Sequence, residues 1–427
     1  MSPAVQRTQP VPVFVEVSNT LAVGHATGIQ RLTREVLARL PREGDGEAIA
    51  VTPIVWEPSH TKYRRLTGEE AASIATTPAP IGARRGRLDV LPGPVARAAR
   101  ATRSRVTGLL GRRPSAERAH LIIDPLPEGS VWLDLEAAWH GPVPRAELLP
   151  RLWATGVPSA VMVPDVMPVL RPDWFEDRMA RRFGRYLAAH LTRSELVYCI
   201  SRQTEHDVHE VAARLAPGRT ITTAVAPMGV DHRASDRSTT LPAELVGRRY
   251  LLSVGTVEPR KNHALLLQLI DRLEATHPDV ALVLVGKEGW KVEDVSSDIE
   301  GHPRNGEAVY WYRRLDDATL DAIYHHAFLT LMPSWYEGFG IPVVESLARG
   351  TPVISSNGGA LPEAGGDLVE YAAPDDLDTW TWLVARHLDD EAHHQRARDA
   401  LETYRPPSWD ECARVIVDTL PGIARPA

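Results

Sequence analysis

Short apolar runs rich in valine, isoleucine and leucine recur along the chain and alternate with longer stretches of helical periodicity. The runs at 11–17, 48–55, 131–135, 160–163, 196–200, 221–225, 250–254, 281–285, 308–310, 328–332, 353–355 and 368–371 read as buried strands. Several consecutive apolar residues bounded by turns suit a strand that is covered on both faces. Between them, 28–40, 173–190, 202–216 and 263–275 place apolar residues at helical spacing. This alternation predicts an α/β fold with parallel sheets flanked by helices. The strands are too many for one comfortable sheet, so two doubly wound Rossmann-like domains facing a cleft are expected. The polar, turn-rich stretch 231–246 divides them into 1–231 and 232–405. After the break at Pro406-Pro407, residues 406–427 hold one more helix, expected to return to the N-terminal domain.

Composition narrows the class without changing that picture. The chain has 427 residues, 43% hydrophobic and 24% charged, which suits a soluble globular protein of two or three domains. A net charge of −7 gives no global reason to expect a nucleic-acid partner. Two cysteines, Cys199 and Cys412, are too few for a disulfide framework or a cysteine-based zinc site, and they suit a reducing compartment. The first residues lack the pattern of a signal peptide, and no apolar run is long enough to span a bilayer, so a cytoplasmic protein is expected. One segment stands apart: 83–118 carries ten arginines against Asp89 and Glu117, with Val95, Ala99, Val106, Leu109 and Leu110 near one helical face. A basic amphipathic helix can lie on an anionic membrane surface, and a solvated basic insertion is the alternative.

The chemistry concentrates in two strand–turn–helix units of the C-terminal half. In the first, 331–352, a strand runs into Glu337-Gly338-Phe339-Gly340 and then a helix opened by Ile341-Pro342. Such a glycine turn presents backbone N–H groups at the carboxyl edge of a sheet, a seat for a diphosphate. Glu345 follows Glu337 by eight residues, about two helical turns, and paired carboxylates can accept hydrogen bonds from sugar and ribose hydroxyls. In the second unit, 253–262, a strand ends in a glycine turn and Arg260-Lys261 open the next helix, 263–275. Adjacent cations at a helix start are electrostatically unfavourable unless an anion sits between them.

These segments resemble glycosyltransferase family 4, the retaining enzymes of GT-B fold. The family's E-x7-E pattern is matched by Glu337 and Glu345, and its E-P-R-K-N segment by 258–262. Similar too are 225–231 at the domain junction, 350–353, Ser408-Trp409-Asp410, and the N-terminal glycine loop at Thr27-Gly28-Ile29-Gln30-Arg31. The resemblance implies that Arg260 and Lys261 grip the donor diphosphate, with the backbone at Gly28 approaching from the opposite domain. It implies that Glu337 holds the transferred sugar, with the backbone of Gly338, Phe339, Gly340 and Ile341 completing the pocket, and that Glu345 takes the ribose. Tyr312-Arg313 would face the base. Where the family often places histidine at the end of an N-terminal strand, this chain has Pro164, followed by Asp165, an acceptor-side candidate that could equally cap the turn before Pro168. His25, Asp134 and His140 are further candidates for the cleft.

The implied activity is retaining, metal-independent transfer of a hexose to a hydroxyl of a glycan or lipid-linked acceptor in cell-surface polysaccharide synthesis. No cofactor is expected beyond the nucleotide-sugar donor. Thr27 to Arg31 with Gly286-Lys287-Glu288-Gly289-Trp290 is similar to polysaccharide mannosyltransferases, so GDP-mannose is the expected donor, with UDP-glucose or another nucleotide sugar next. A lipid-linked acceptor and 83–118 together imply peripheral contact with the inner membrane face. The rivals are a phosphorylase-like enzyme of the same architecture, which needs pyridoxal phosphate on a lysine, and a catalytically silent GT-B binding protein.

Overall fold

In a computed structural model that describes residues 9–23, 28–75, 116–230 and 241–424, the chain forms two sheets in two α/β domains. The N-terminal sheet contains β1 (Val11–Glu16), β2 (Ile49–Glu57), β3 (Lys62–Arg65), β4 (Val131–Asp134), β5 (Ser159–Val163), β6 (Leu196–Cys199) and β7 (Thr223–Val225) in the order β3-β2-β1-β4-β5-β6-β7. All pairs are parallel except β2 with β3. The C-terminal sheet orders β8 (Tyr250–Val254), β9 (Ala281–Val285), β10 (Val309–Tyr312), β11 (Leu329–Met332), β12 (Val353–Ser356) and β13 (Val369–Ala372) as β10-β9-β8-β11-β12-β13, all parallel. Strands β4, β5, β6, β9, β11 and β12 are buried along their whole length, which is why they appear as unbroken apolar runs.

Topology locates the place where a ligand can enter. In the C-terminal sheet the chain passes from β8 outward through β9 to β10, then returns to the other side of β8 with β11. The helices leaving β8 and β11 therefore diverge, opening a crevice at the carboxyl ends of these two strands. The segments containing Arg260-Lys261 and Glu337 follow those two strands.

Several elements differ from the sequence expectation. The edge strand β3 was not foreseen, because Lys62-Tyr63-Arg64-Arg65 buries only its two middle residues and has no apolar run. The expected helix 173–190 is split into a 3₁₀ turn at Pro172–Trp174 and a helix at Asp177–Arg193. Strand β10 continues through Tyr312, so Tyr312 lies in the strand and not in the turn after it. Arg260-Lys261 belong to a 3₁₀ turn, Pro259–Lys261, and a left-handed Asn262 separates them from the helix His263–Leu273. The basic residues 83–115 and the junction 231–240 lie outside the described residues.

The helix Trp409–Thr419 does return to the N-terminal domain. Trp409, Cys412 and Ile416 pack into one core with Val13, Val15, Val36 and Leu133. Tyr198 and Thr419 share a hydrogen bond of 2.9 Å, and Arg39 pairs with Asp410 at 2.8 Å. Its start is fixed by a reciprocal cap between Ser408 and Glu411. Both cysteines are buried and their thiols are pushed up by that burial.

The N-terminal domain also buries a set of charges at the carboxyl ends of β1 and β4. Arg145 donates to Asp134 at 2.6 Å through both Nε and Nη2, and Nη2 also reaches Glu16 at 2.7 Å. His190 lies 3.0 Å from the same Asp134, and all four side chains are fully buried. Asp134 is therefore committed inside the domain and does not face the cleft as the sequence reading expected. Removing Arg145 would strand two buried carboxylates. Arg145→Ala is expected to lose about 3–5 kcal/mol of stability, readable as a lower urea midpoint at pH 7.

Candidate functional site

Strand β8 ends in Gly255, whose φ of +154° lets the backbone turn and leaves room for Lys261. A side chain at 255 would meet Lys261 Cε at 3.2 Å. The turn carries Lys261 over that backbone towards the loop after β11. There, Lys261 Nζ lies 2.6 Å from Glu337 Oε1 and Arg260 Nη1 lies 2.5 Å from Glu337 Oε2. Arg260 Nη2 reaches back to Glu258 at 2.6 Å, and Nη1 donates to the Tyr336 carbonyl at 3.2 Å. Glu258, Lys261 and Glu337 are buried.

The anion that the two cations require is thus a protein carboxylate. Burial works against its charge, but Arg260 and Lys261 hold the Glu337 carboxyl down at about 2. Burial lowers Arg260 too, yet Glu337 and Glu258 outweigh it and raise the guanidinium. Lys261 is lowered by burial and by Arg260, against the pull of Glu337. Two buried polar atoms nearby in sequence, Ser334 Oγ after β11 and His263 Nδ1 after the 3₁₀ turn, have no hydrogen-bond partner. Such atoms are costly in a closed core and are expected where a polar ligand supplies the missing bonds.

Glu345 sits in the short helix Ile341–Leu347. Its Oε1 accepts from Arg31 of the N-terminal domain at 2.7 Å, and its Oε2 accepts from Tyr324 at 3.1 Å. Gly28 lies on the same approach, since a side chain there would come 4.0 Å from Ile341. Gly338 meets the other domain more closely. A side chain at 338 would stand 2.3 Å from the Pro164 carbonyl oxygen, so the glycine is what lets the two loops touch. The Gly338 carbonyl accepts from Ser201 at 2.6 Å and Thr204 at 3.1 Å, at the start of the helix Arg202–Leu215. Glu363 accepts from the Arg202 and Gln203 backbone at that same helix start. Tyr336 donates to Asp207 at 2.5 Å, and Trp290 donates to the Trp174 carbonyl at 2.8 Å while stacking on Phe175.

The remaining candidates fall into place around this contact. Asp165 is partly buried and accepts from Met167 N at 3.0 Å, which is the turn-capping role. It also feels the charged cluster: burial pushes its carboxyl up to about 6, Arg260 opposes, and Glu337 and Glu258 add to the rise. Phe339 is buried in the interdomain core, so of this residue only the backbone could serve a pocket. Tyr312 donates to Glu244 at 2.6 Å, and Arg313 lies over the Trp311 ring and pairs with Glu300. Neither is joined to the Glu337 cluster by a described contact. His140 is exposed, and His25 lies outside the described residues.

Glu258, Arg31, Ser201, Thr204, Tyr324 and Glu363 were missed in the sequence reading. Glu258 lay inside the matched 258–262 segment and Arg31 inside the matched 27–31 loop, with no role given to either, and only the long-range partners of the others give them meaning.

A pH test follows from Asp165. Below about 6 its carboxyl is neutral; above, its charge stands beside Arg260 and competes with an anionic ligand. The wild type is therefore expected to lose affinity for a nucleoside diphosphate, GDP or UDP, relative to Asp165→Asn as pH rises from 5 to 7.5. Parallel pH dependences of the two dissociation constants, measured by calorimetry, would contradict this.

Residues 242–403 match the family model described as glycosyl transferases group 1. The chain is 27% identical over 287 residues to the serotype-specific mannosyltransferase WbdA of Escherichia coli, covering 64% of this chain and 34% of that protein. It is 34% identical over 174 residues to the O-antigen chain mannosyltransferase B of Escherichia coli, covering 40% of this chain and 45% of that one. The chain thus spans about a third to under half the length of these relatives. Among solved structures, Anabaena HepE in complex with UDP and glucose superposes with a TM-score of 0.60 at 15% identity, covering 96% of this chain and 100% of that one. Sucrose-phosphate synthase from Thermosynechococcus elongatus gives 0.57 at 18% identity, covering 97% and 99%. The chain therefore has the GT-B fold, and its residues 242–403 match the model of the glycosyl transferases group 1 family.

Proposed function

We propose that this chain is a retaining glycosyltransferase that moves a hexose, mannose from GDP-mannose, to a hydroxyl of a glycan or lipid-linked acceptor in cell-surface polysaccharide synthesis. The observation that carries the reading is the buried trio Arg260, Lys261 and Glu337 at the crevice between β8 and β11. Mannosyltransferases among the relatives support the choice of sugar. A UDP-sugar is the second reading, favoured by the fold's likeness to HepE, which was solved with UDP and glucose.

The geometry suggests how the donor is handled. The entering diphosphate takes Arg260 and Lys261 from Glu337, so the charge that develops on the leaving group meets fixed cations already desolvated. Freed from one or both cations, Glu337 accepts hydrogen bonds from the sugar hydroxyls. The bond from the anomeric carbon to the diphosphate oxygen breaks, and the acceptor oxygen bonds to that carbon on the same face. The acceptor's proton passes to a departing phosphate oxygen. The helix Ile341–Leu347 has only seven residues, so its dipole adds little and the side-chain cations carry the charge. Contacts of Gly338 with Ser201 and Thr204 hold the two domains together around the crevice, where exclusion of water and alignment of reactants speed the reaction.

No described helix is long and apolar enough to cross a membrane. The proposed location is the cytoplasm, with peripheral attachment to the inner membrane face through 83–118. The function is tested by incubating the chain with a panel of nucleotide sugars and glycan acceptors and weighing the products. A hexose added to an acceptor, with GDP released from GDP-mannose, is expected. Addition only from UDP-sugars would favour the second reading, and no transfer with any donor would overturn the proposal.

A further inference from the structure

Away from the crevice, three metal-ligating side chains from three elements converge. Glu370 is the second residue of β13, His387 lies in the last turn of the helix Leu377–Asp389, and His393 lies in the first turn of the helix Glu391–Asp399. Nε2 of His387 is 2.7 Å, and Nε2 of His393 is 3.4 Å, from the same oxygen, Glu370 Oε2. The three ligand atoms all lie within 4.8 Å of one another. Ligands about a tetrahedral ion with bonds of about 2.0–2.2 Å stand roughly 3.4 Å apart, so small side-chain shifts would suffice to seat one.

The surroundings suit a metal as well as the trio does. Nδ1 of His387 lies 3.2 Å from Nδ1 of His394, a partner of the kind that fixes the orientation of a ligating imidazole. With its proton on Nε2, His387 donates to Glu370; with the proton on Nδ1, the Nε2 lone pair and the Glu370 oxygen are two facing acceptors that a metal cation would join. His394 is itself held by stacking on Phe328, with ring centroids 3.9 Å apart. Arg386 approaches the other carboxylate oxygen, Oε1, at 3.3 Å, leaving Oε2 for an ion. His387 is 2% exposed and Glu370 30%, so a bound ion would have protein on one side and water for a fourth ligand on the other.

We propose that Glu370, His387 and His393 bind one divalent transition-metal ion of the zinc class. Two imidazoles and a carboxylate suit zinc, cobalt or nickel and not magnesium or calcium. Phe328 immediately precedes β11, and the His387 helix runs back from the carboxyl edge of β13, so the cluster sits at the amino-terminal edge of the sheet. Arg260, Lys261 and Glu337 lie at the opposite edge. The ion therefore acts as a clip that ties the edge strand β13 to the two helices packed after it, separate from the donor crevice.

The test uses the untagged full chain, stripped with chelator, and zinc or cobalt chloride as the probe. Competition against a chromophoric chelator is expected to show one zinc per chain, and cobalt is expected to give the strong visible absorption of a four- or five-coordinate site. Zinc should also raise the thermal midpoint. His393→Ala is expected to weaken zinc binding at least tenfold and to abolish the cobalt spectrum and the thermal shift, with the far-ultraviolet circular dichroism unchanged. Glu370→Gln, which keeps shape and removes charge, should lower affinity likewise. Absence of saturable one-to-one binding, or equal affinity in the wild type and both variants, would overturn the proposal. So would a stability that responds to pH alone and not to zinc, since a proton would then be the cation between His387 and Glu370.

Discussion

Glu337→Gln is expected to lower turnover by on the order of 10²-fold, about 2.7 kcal/mol of transition-state stabilisation, while binding free GDP at least as tightly as the wild type. Glu337 neutralises Arg260 and Lys261 at 2.5 and 2.6 Å, so it would compete with a diphosphate for both cations. Glutamine keeps the shape but gives up that claim. The same change removes the charged acceptor proposed for the sugar hydroxyls, and the two effects therefore separate in one variant. It should also be less stable without ligand, because two buried cations lose their partner. GDP should then raise its thermal midpoint by more than it raises that of the wild type. A variant with weakened GDP binding and unchanged turnover would show that Glu337 does not exchange its partners in this way.

The second large effect is expected at Lys261. In the proposed mechanism Lys261→Ala removes one of two desolvated cations from the leaving group, and loss of one such preorganised charge-stabilising contact costs about 10²–10³ in rate. The loss should fall on kcat/KM for the nucleotide sugar and on affinity for GDP, while affinity for guanosine, which lacks phosphate, stays the same. Arg260 remains paired with Glu258 and Glu337 in this variant, so the fold should survive. At a GDP concentration a hundred times its dissociation constant the wild type gains about 2.7 kcal/mol of stability. The variant should lose most of that shift. Equal losses for GDP and guanosine would point to a collapsed base pocket in place of a missing phosphate contact.

The two sheets were legible because β9, β11 and β12 bury every residue and cannot hide a polar position. Strand β3 was not, because its two arginines and its lysine carry no apolar pattern; Arg64 is buried only because it pairs with Glu57 and Glu70. In the crevice, Arg260, Lys261 and Glu337 could be named from two local segments, each a strand followed by a glycine turn. What joins them is the adjacency of β8 and β11, a property of sheet order that no local window contains. The same reason hid Arg31, which reaches Glu345 from 314 positions away, and Ser201, which reaches the Gly338 carbonyl from 137 away. Asp134 was misplaced for a related cause. A carboxylate at a strand end reads as cleft-facing until His190, on a helix the sequence predicts, and Arg145, on one it does not, are brought over it.

The most direct test of the donor seat is a crystal structure of the chain with GDP bound. Diphosphate oxygens within hydrogen-bonding distance of both Arg260 and Lys261, and Glu337 withdrawn from at least one of them, are the expected result. A diphosphate bound elsewhere, with Glu337 still paired to both Arg260 and Lys261, would contradict the account.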